Sequence, residues 1–129
     1  KIAGAVSDCN IGIDIQEQRK ISKSMIKRVL NEKELDDYLS YTKEIERKKC
    51  FCRLWTIKES EIKRRGSSVL VDLKQIEKDN IKNIETFEIK DFCISISSEE
   101  YKEFNLIQIS TESLLNYFER GTLCLNTNK

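Results

Sequence analysis

The alternation of apolar and polar positions predicts several short strands. Residues 2–6 and 11–15 are rich in isoleucine and valine and are joined by a turn-like Ser-Asp-Cys-Asn, which predicts a pair of strands. Residues 84–89 and 92–97 alternate in polarity around a Lys-Asp pair, which predicts a β-hairpin. Residues 106–109 form a further short apolar run, and we expect one more strand there.

Apolar residues at helical spacing predict four helices. Residues 22–30 and 110–118 each begin with a serine that can cap a helix. Between them, Asn31 and Glu34 have the spacing of a capping box and predict a second short helix. The long helix is expected from about residue 42 to 65, where a glycine follows and ends it.

Together these elements predict an α+β domain, with a long helix packed on a small, mostly antiparallel sheet. Residues 69–73 are expected to form a strand or a short docking segment. We assign residues 1–120 to the domain and expect the tail, residues 121–129, to be poorly ordered. The chain has no proline, so no rigid linker divides it.

Composition narrows the class of protein. With 23 Lys+Arg against 22 Asp+Glu, the net charge is +1, so no bulk field would draw the chain to nucleic acid or membrane. No apolar run approaches the roughly 18 residues of a membrane helix. At 39% hydrophobic and 35% charged residues, the chain is expected to be globular and soluble.

The cysteines and the missing histidine exclude several chemistries. The five cysteines are odd in number and match no zinc spacing. We therefore expect reduced thiols in a cytoplasmic protein. Histidine-dependent catalysis is excluded within this chain, which contains no histidine. The chain also starts with lysine and enters a predicted strand at once, so we expect further sequence upstream.

The long helix places charge beside its apolar face. At about 100° per residue, Lys58 falls in the middle of that face and Glu59 on its edge, one turn before Lys63. The face itself is formed by Phe51, Leu54, Trp55 and Ile62. One interpretation is structural: Lys58 extends its ammonium past an apolar stem, and Glu59 and Lys63 form an ordinary i,i+4 pair.

The other interpretation is a binding site. Asp14 lies between isoleucines in a predicted strand, which is costly unless its carboxylate is paired or metal-bound. If that strand packs beside the helix, Asp14 and Glu59 converge on one divalent cation, as Mg²⁺ is usually held. Lys58 and Lys63 would then contact a phosphate, without any P-loop or GxGxxG motif. The residues alone leave both interpretations open.

The spaced pair "GIDI" (12–15) and "WTIKESEIKRRG" (55–66) resembles the surfactin-synthetase type of 4′-phosphopantetheinyl transferase. That family's signature is similar to G-[IV]-D-[IV]-E followed by W-[ST]-x-K-E-[SA]-x-x-K-x-x-G. "RVLNEKEL" (28–35), with Glu34, resembles a further family segment. "FEIKDFCISISS" and "IQISTESLL" resemble the late hairpin and the closing strand and helix.

The resemblance implies an enzyme that transfers the 4′-phosphopantetheine arm of coenzyme A to a serine of an acyl or peptidyl carrier protein, with Mg²⁺ as cofactor. By motif position, Asp14 and Glu59 match metal ligands, and Glu59 also matches the residue that helps to deprotonate the serine. Lys58 and Lys63 match basic positions near the phosphates of coenzyme A, and Lys63 is included in the catalytic set. Gln16 stands at the family's second acidic position, where its amide oxygen can still ligate the metal.

Two departures give an alternative. The chain resembles only the second half of the two-part family members, so we expect a missing N-terminal half or self-association through the same face. Short relatives, the holo-acyl-carrier-protein synthases, form trimers at about this length. Gln16 and the missing half support the alternative of a partial or degenerate relative that binds a carrier protein without turnover.

Overall fold

A long helix lying on a three-stranded sheet organises this protein, whose computed structural model describes residues 1–66 and 72–120. The predicted α+β class is confirmed. In chain order the elements are strand β1 (Ile11–Glu17), helices α1 (Lys23–Val29), α2 (Glu32–Ser40) and α3 (Glu44–Arg64), 3-10 turns at Leu73–Gln75 and Lys78–Asn80, strands β2 (Ile84–Ile89) and β3 (Phe92–Ser98), and helix α4 (Thr111–Arg120).

The sheet is antiparallel with the strand order β1-β3-β2. The predicted hairpin is confirmed as β2 and β3, and Lys90 in its turn has a φ of 53°, as tight hairpin turns require. The central strand β3 brings Ser95 opposite Asp14 of β1 and opposite Thr86 of β2.

The predicted strand at residues 2–6 is wrong. These residues have no regular secondary structure, and Ile2 and Val6 are each 97% exposed. Apolar composition alone suggested this strand, without the period-2 alternation that places one face of a strand in a core. The partner of β1 is instead β3, which lies far along the sequence.

Two later predictions also need correction. Residues 106–109 form no strand, and only Gln108 makes an isolated bridge. Leu73 begins a 3-10 turn, in which the Asp72 carboxylate caps the backbone N–H of Lys74, so it does not end a strand. The rest of that prediction, at residues 69–71, lies outside the described residues, as does the predicted disorder of residues 121–129.

The helix signals are confirmed. The Asn31–Glu34 capping box forms with both reciprocal hydrogen bonds, and the hydroxyl of Ser22 accepts from the backbone N–H of Met25. Helix α3 is followed by Gly66, whose φ of 63° suits a residue that ends a helix. Over residues 1–66 and 72–120, the structure contains no helix with the length and apolar character needed to cross a membrane.

Helix α3 has two chemically different sides. Its apolar side packs with α1 and the 3-10 turns in two buried clusters, which contain no residue of β1 or β3 among the described residues. One cluster comprises Val29, Leu30, Phe51, Leu54 and Leu73 and the other comprises Ile57, Ile76 and Ile81.

The side of α3 that meets the sheet is small and polar. The hydroxyls of Thr56 and Ser95 lie 2.8 Å apart, and the Cys52 thiol donates to the carbonyl oxygen of Gln16 at 3.3 Å. At Gly12 the contact is closest: a Cβ there would lie 2.0 Å from the carbonyl oxygen of Ser60. Helix and sheet therefore approach closely enough for polar side chains of one to reach the other.

Substitution Gly12→Ala should prevent this approach. The added methyl group would overlap backbone atoms of α3, which cannot move aside as a flexible side chain does. We expect the free energy of unfolding to fall by about 3 kcal/mol in urea titrations. The control Gly4→Ala adds a methyl group with no atom within 4 Å and should leave stability unchanged. Equal stability of the two variants would contradict the close contact.

Candidate functional site

Three predicted site residues meet at Asp14. Its side chain is 7% exposed and lies in β1 beneath the C-terminal half of α3. Its Oδ1 accepts from the Lys63 ammonium at 2.6 Å, and its Oδ2 accepts from the Gln16 amide at 3.1 Å. Alternation along the strand puts Asp14 and Gln16 on the same face, towards α3. The strand and helix thus unite the two halves of the sequence motif.

Glu59 lies in α3 one turn before Lys63, and the residue is half-buried. Within residues 1–66 and 72–120, no side chain or backbone group donates a hydrogen bond to its carboxylate. The Lys63 side chain is 49% exposed, although its ammonium contacts buried Asp14. Glu59 and Lys63 therefore lie one turn apart on α3, and both residues are only partly buried.

Lys58 lies on the other side of α3. It is completely buried, and its ammonium donates to the carbonyl oxygen of Val29 at 2.8 Å and to Glu34 at 2.6 Å. Glu34 is also buried, with an exposure of only 3%. Removing one partner of such a pair leaves an uncompensated charge and typically costs about 3–5 kcal/mol. This geometry favours a structural role for Lys58, with Glu34 as the partner that the sequence did not reveal.

Sequence reasoning missed Glu61, which ties the end of α3 to the sheet. Its side chain is 3% exposed and accepts from Arg64, from Arg65 at 2.6 Å and from the hydroxyl of Ser97. Burial acts to raise the pKa of Glu61, but the hydrogen bonds from these partners outweigh it and lower that pKa to about 2. The i,i+3 and i,i+4 spacing could have predicted the ion pairs of Glu61 with the two arginines. The contact of Glu61 with β3 could not be predicted from sequence spacing.

The thiols beside this interface are reduced. Of the five cysteines, Cys9, Cys50, Cys52 and Cys93 lie in the described residues and are free. The contact between the thiols of Cys52 and Cys93 raises the pKa of Cys52, as burial also does, and lowers the pKa of Cys93. The free state agrees with the expectation of reduced cysteines.

The oxygen chemistry of the candidate ligands suits Mg²⁺ better than a zinc ion. No group of three His, Cys, Asp or Glu residues able to hold a metal occurs in the part of the chain that the structure describes. Carboxylate and amide oxygens, such as those of Asp14, Glu59 and Gln16, are ligand types that suit Mg²⁺, which keeps water and phosphate among its ligands. The Lys63 ammonium on buried Asp14 shows that this position is balanced by positive charge.

Comparisons with known proteins identify the family of this chain. A family model described as the 4′-phosphopantetheinyl transferase superfamily matches residues 10–117. The 4′-phosphopantetheinyl transferase ffp of Bacillus subtilis is 35% identical over 72 residues, which are 56% of this chain and 32% of the relative. The match thus spans about a third of that relative's length.

A solved structure shares the fold. The crystal structure of the holo-[acyl-carrier-protein] synthase of Thermotoga maritima superposes with a TM-score of 0.57 at 18% identity. The match covers 87% of this chain and 74% of the synthase, and at this identity it supports the fold alone. Because the family model covers most of the chain, including β1 and all of α3, this protein belongs to the 4′-phosphopantetheinyl transferase superfamily.

Proposed function

We propose that this domain transfers the 4′-phosphopantetheine group of coenzyme A to a serine of an acyl or peptidyl carrier protein. The observation that carries the proposal is the ion pair between Lys63 of α3 and buried Asp14 of β1. It joins residues 49 positions apart that match the two halves of the family's motif.

Asp14, Glu59 and Gln16 are the residues that would hold Mg²⁺. When bound, this ion stabilises negative charge on the pyrophosphate of coenzyme A. Gln16 contributes a neutral oxygen where an acid would bind more strongly, and it already orients the Asp14 carboxylate through its amide. Two carboxylates are enough for an ion that is also held by phosphate oxygens.

The serine hydroxyl is the nucleophile, and Glu59 is the base that we assign to it. The serine oxygen forms a bond to the β-phosphorus of coenzyme A as the bond from this phosphorus to the bridging oxygen breaks. The serine proton passes to the Glu59 carboxylate, directly or through water, and adenosine 3′,5′-bisphosphate leaves. Such a role suits a half-buried carboxylate that accepts no hydrogen bond from the described residues.

Lys63 supplies positive charge to the phosphates. Its half-exposed side chain allows the ammonium to contact a phosphate oxygen while the helix backbone stays fixed. Lys58 is too deeply buried for this task, and we propose that it acts through its pair with Glu34, which joins α3 to α2.

Substitution Glu59→Gln should abolish most of the transfer. The amide cannot accept the serine proton, so we expect a loss of about 10²–10⁴-fold in rate. The assay uses the full polypeptide in which this sequence occurs, with coenzyme A, Mg²⁺ and several apo carrier proteins, and follows the carrier mass. The matched control Glu44→Gln changes an exposed residue at the other end of α3 and should keep full activity.

Binding without turnover is the competing function, because Gln16 replaces an acid and the match spans a third of the relative. Carrier proteins that bind the wild-type protein but never gain the pantetheine arm would establish it. Wild-type transfer together with an equally active Glu59→Gln variant would instead contradict the assigned base.

We further propose that a second copy of this chain packs on the face formed by α4 and the segment before it. Among the residues that the structure describes, ten of the thirteen exposed large hydrophobic residues lie in residues 1–9 and 101–120. Leu114, Leu115 and Phe118 of α4 are among them, at 44%, 56% and 76% exposure. Exposed apolar residues in such number favour an interface with another protein surface. An N-terminal half in the complete protein would compete for the same face.

Substitution Leu115→Glu should dissociate this assembly. We expect light scattering after size-exclusion chromatography to show an oligomer for the wild-type chain and a monomer for the variant. Leu39→Glu is the matched control, because Leu39 is also helical and is 54% exposed, but lies in α2. A clean wild-type monomer, or equal dissociation by both substitutions, would contradict the proposed face.

A further inference from the structure

Two thiols meet in the interface between α3 and β3. Cys52 lies in the first half of α3, and Cys93 is the second residue of β3. Both side chains are buried, and the Cys52 thiol forms a hydrogen bond with the Cys93 thiol. The proposed transfer reaction uses neither of these nucleophilic groups.

The packing of helix on sheet fixes this contact. Cys93 lies opposite Gln16 in the register of β3 with β1. The Cys52 thiol also donates to the carbonyl oxygen of Gln16 at 3.3 Å, so Cys52 lies over the strand pair at the level of Cys93. Cys50 packs instead against the apolar cluster of Phe51 on the other side of α3. Folding therefore selects one thiol pair from distant parts of the chain.

The surroundings make the two thiols chemically unequal. The hydrogen bond from Cys52 lowers the pKa of the Cys93 thiol. The Gln18 amide, which lies 3.8 Å from Cys93 Sγ, and the charge of Arg53 act in the same direction. The thiolate is the reactive form of cysteine, so Cys93 is the better nucleophile of the pair. Cys52, whose pKa is raised, is placed to react second.

Burial restricts which oxidant can reach the pair. Cys93 is only one residue from the start of β3, and the Gln18 side chain that contacts it is itself half-buried. A displacement of this side chain, which is a local opening rather than unfolding of the domain, exposes the sulfur atom. The restriction favours hydrogen peroxide, which is scarcely larger than water, over bulky disulfides.

We propose that Cys52 and Cys93 are a redox pair that hydrogen peroxide converts to a disulfide between α3 and β3. The Cys93 thiolate attacks one peroxide oxygen, the O–O bond breaks, and the hydroxide that leaves takes up the proton released by Cys93. Cys52 then attacks the sulfenic sulfur of Cys93, the S–O bond breaks, and this hydroxide leaves with the Cys52 proton as water. Two thiols and one peroxide thus give one disulfide and two waters.

Peptide mass mapping after peroxide treatment in native buffer tests the pair. The triple variant Cys9→Ser, Cys50→Ser, Cys124→Ser retains only the two thiols of the interface. We expect a disulfide-linked peptide that joins residues 52 and 93, together with the loss of both free thiols. Thiols that stay reduced while peroxide consumes free cysteine in the same solution would overturn the proposal. Sulfinic acids without a crosslink would overturn it as well.

Single serine substitutions in an otherwise unchanged chain provide a matched comparison. Cys52→Ser keeps a hydroxyl that can donate to the Gln16 carbonyl, and it should abolish the crosslink and leave Cys93 to oxidise further to the sulfinic acid. Cys50→Ser makes the same change two residues earlier and should form the wild-type crosslink. Equal crosslinking in both variants would overturn the pairing. If Cys52→Ser does not fold, Cys93→Ala replaces it in this comparison.

The thermal unfolding midpoint shows whether the disulfide forms within the native fold. A bond between distant parts of the chain restricts the unfolded state, so the oxidised triple variant should unfold about 5–10 °C higher than the reduced one. Dithiothreitol should reverse this shift. A fully crosslinked protein with an unchanged or lower midpoint would show that the bond forms only after α3 leaves β3, and this result would contradict the native contact.

Discussion

The ion pair between Lys63 and Asp14 is the contact on which the candidate site depends. It spans α3 and β1 at 2.6 Å, and its carboxylate is almost fully buried. The pair forms where the backbones of helix and strand approach each other closely. Gly12 allows this approach, since any larger residue would overlap the backbone of α3. The Asp14–Lys63 pair thus joins a strand and a helix that pack closely at Gly12.

In a small α+β domain the helix usually packs its apolar side on the sheet, whereas here the side of α3 that meets the sheet is polar. The sheet turns Asp14, Ser95 and Ser97 towards the helix, while isoleucines alternate onto its other face. Apolar burial on α3 is supplied instead by α1 and the 3-10 turns. Polar side chains therefore meet between helix and sheet, while several apolar side chains of the terminal segments, such as Ile2 and Phe118, stay exposed.

Local signals allowed much of the fold to be predicted from sequence. The Asn31–Glu34 capping box, the Lys-Asp hairpin turn and the period of α3 are short-range features, and each formed as predicted. The strand at residues 2–6 failed because pairing is decided by long-range competition, in which β3 became the partner of β1.

The site was predicted only in part. The spaced motif predicted that Asp14 and Glu59 converge on a cation with Lys63 nearby, and the structure brings Asp14 together with Lys63 and Gln16. Glu34 could not be identified as the partner of Lys58 from the sequence. A helical wheel shows on which face of a helix a residue lies, but it does not show which other element packs on that face. Glu61 was missed for the same reason, since Ser97 reaches it from a distant strand.

The central claim is that Asp14 and Glu59 converge on one divalent cation. Anomalous diffraction from crystals grown with coenzyme A and Mn²⁺ in place of Mg²⁺ tests it most directly. The account predicts a single manganese peak that both carboxylates contact, with Lys63 moved from Asp14 towards a phosphate. A manganese peak that contacts neither carboxylate, or coenzyme A bound with Lys63 still paired to Asp14, would contradict it.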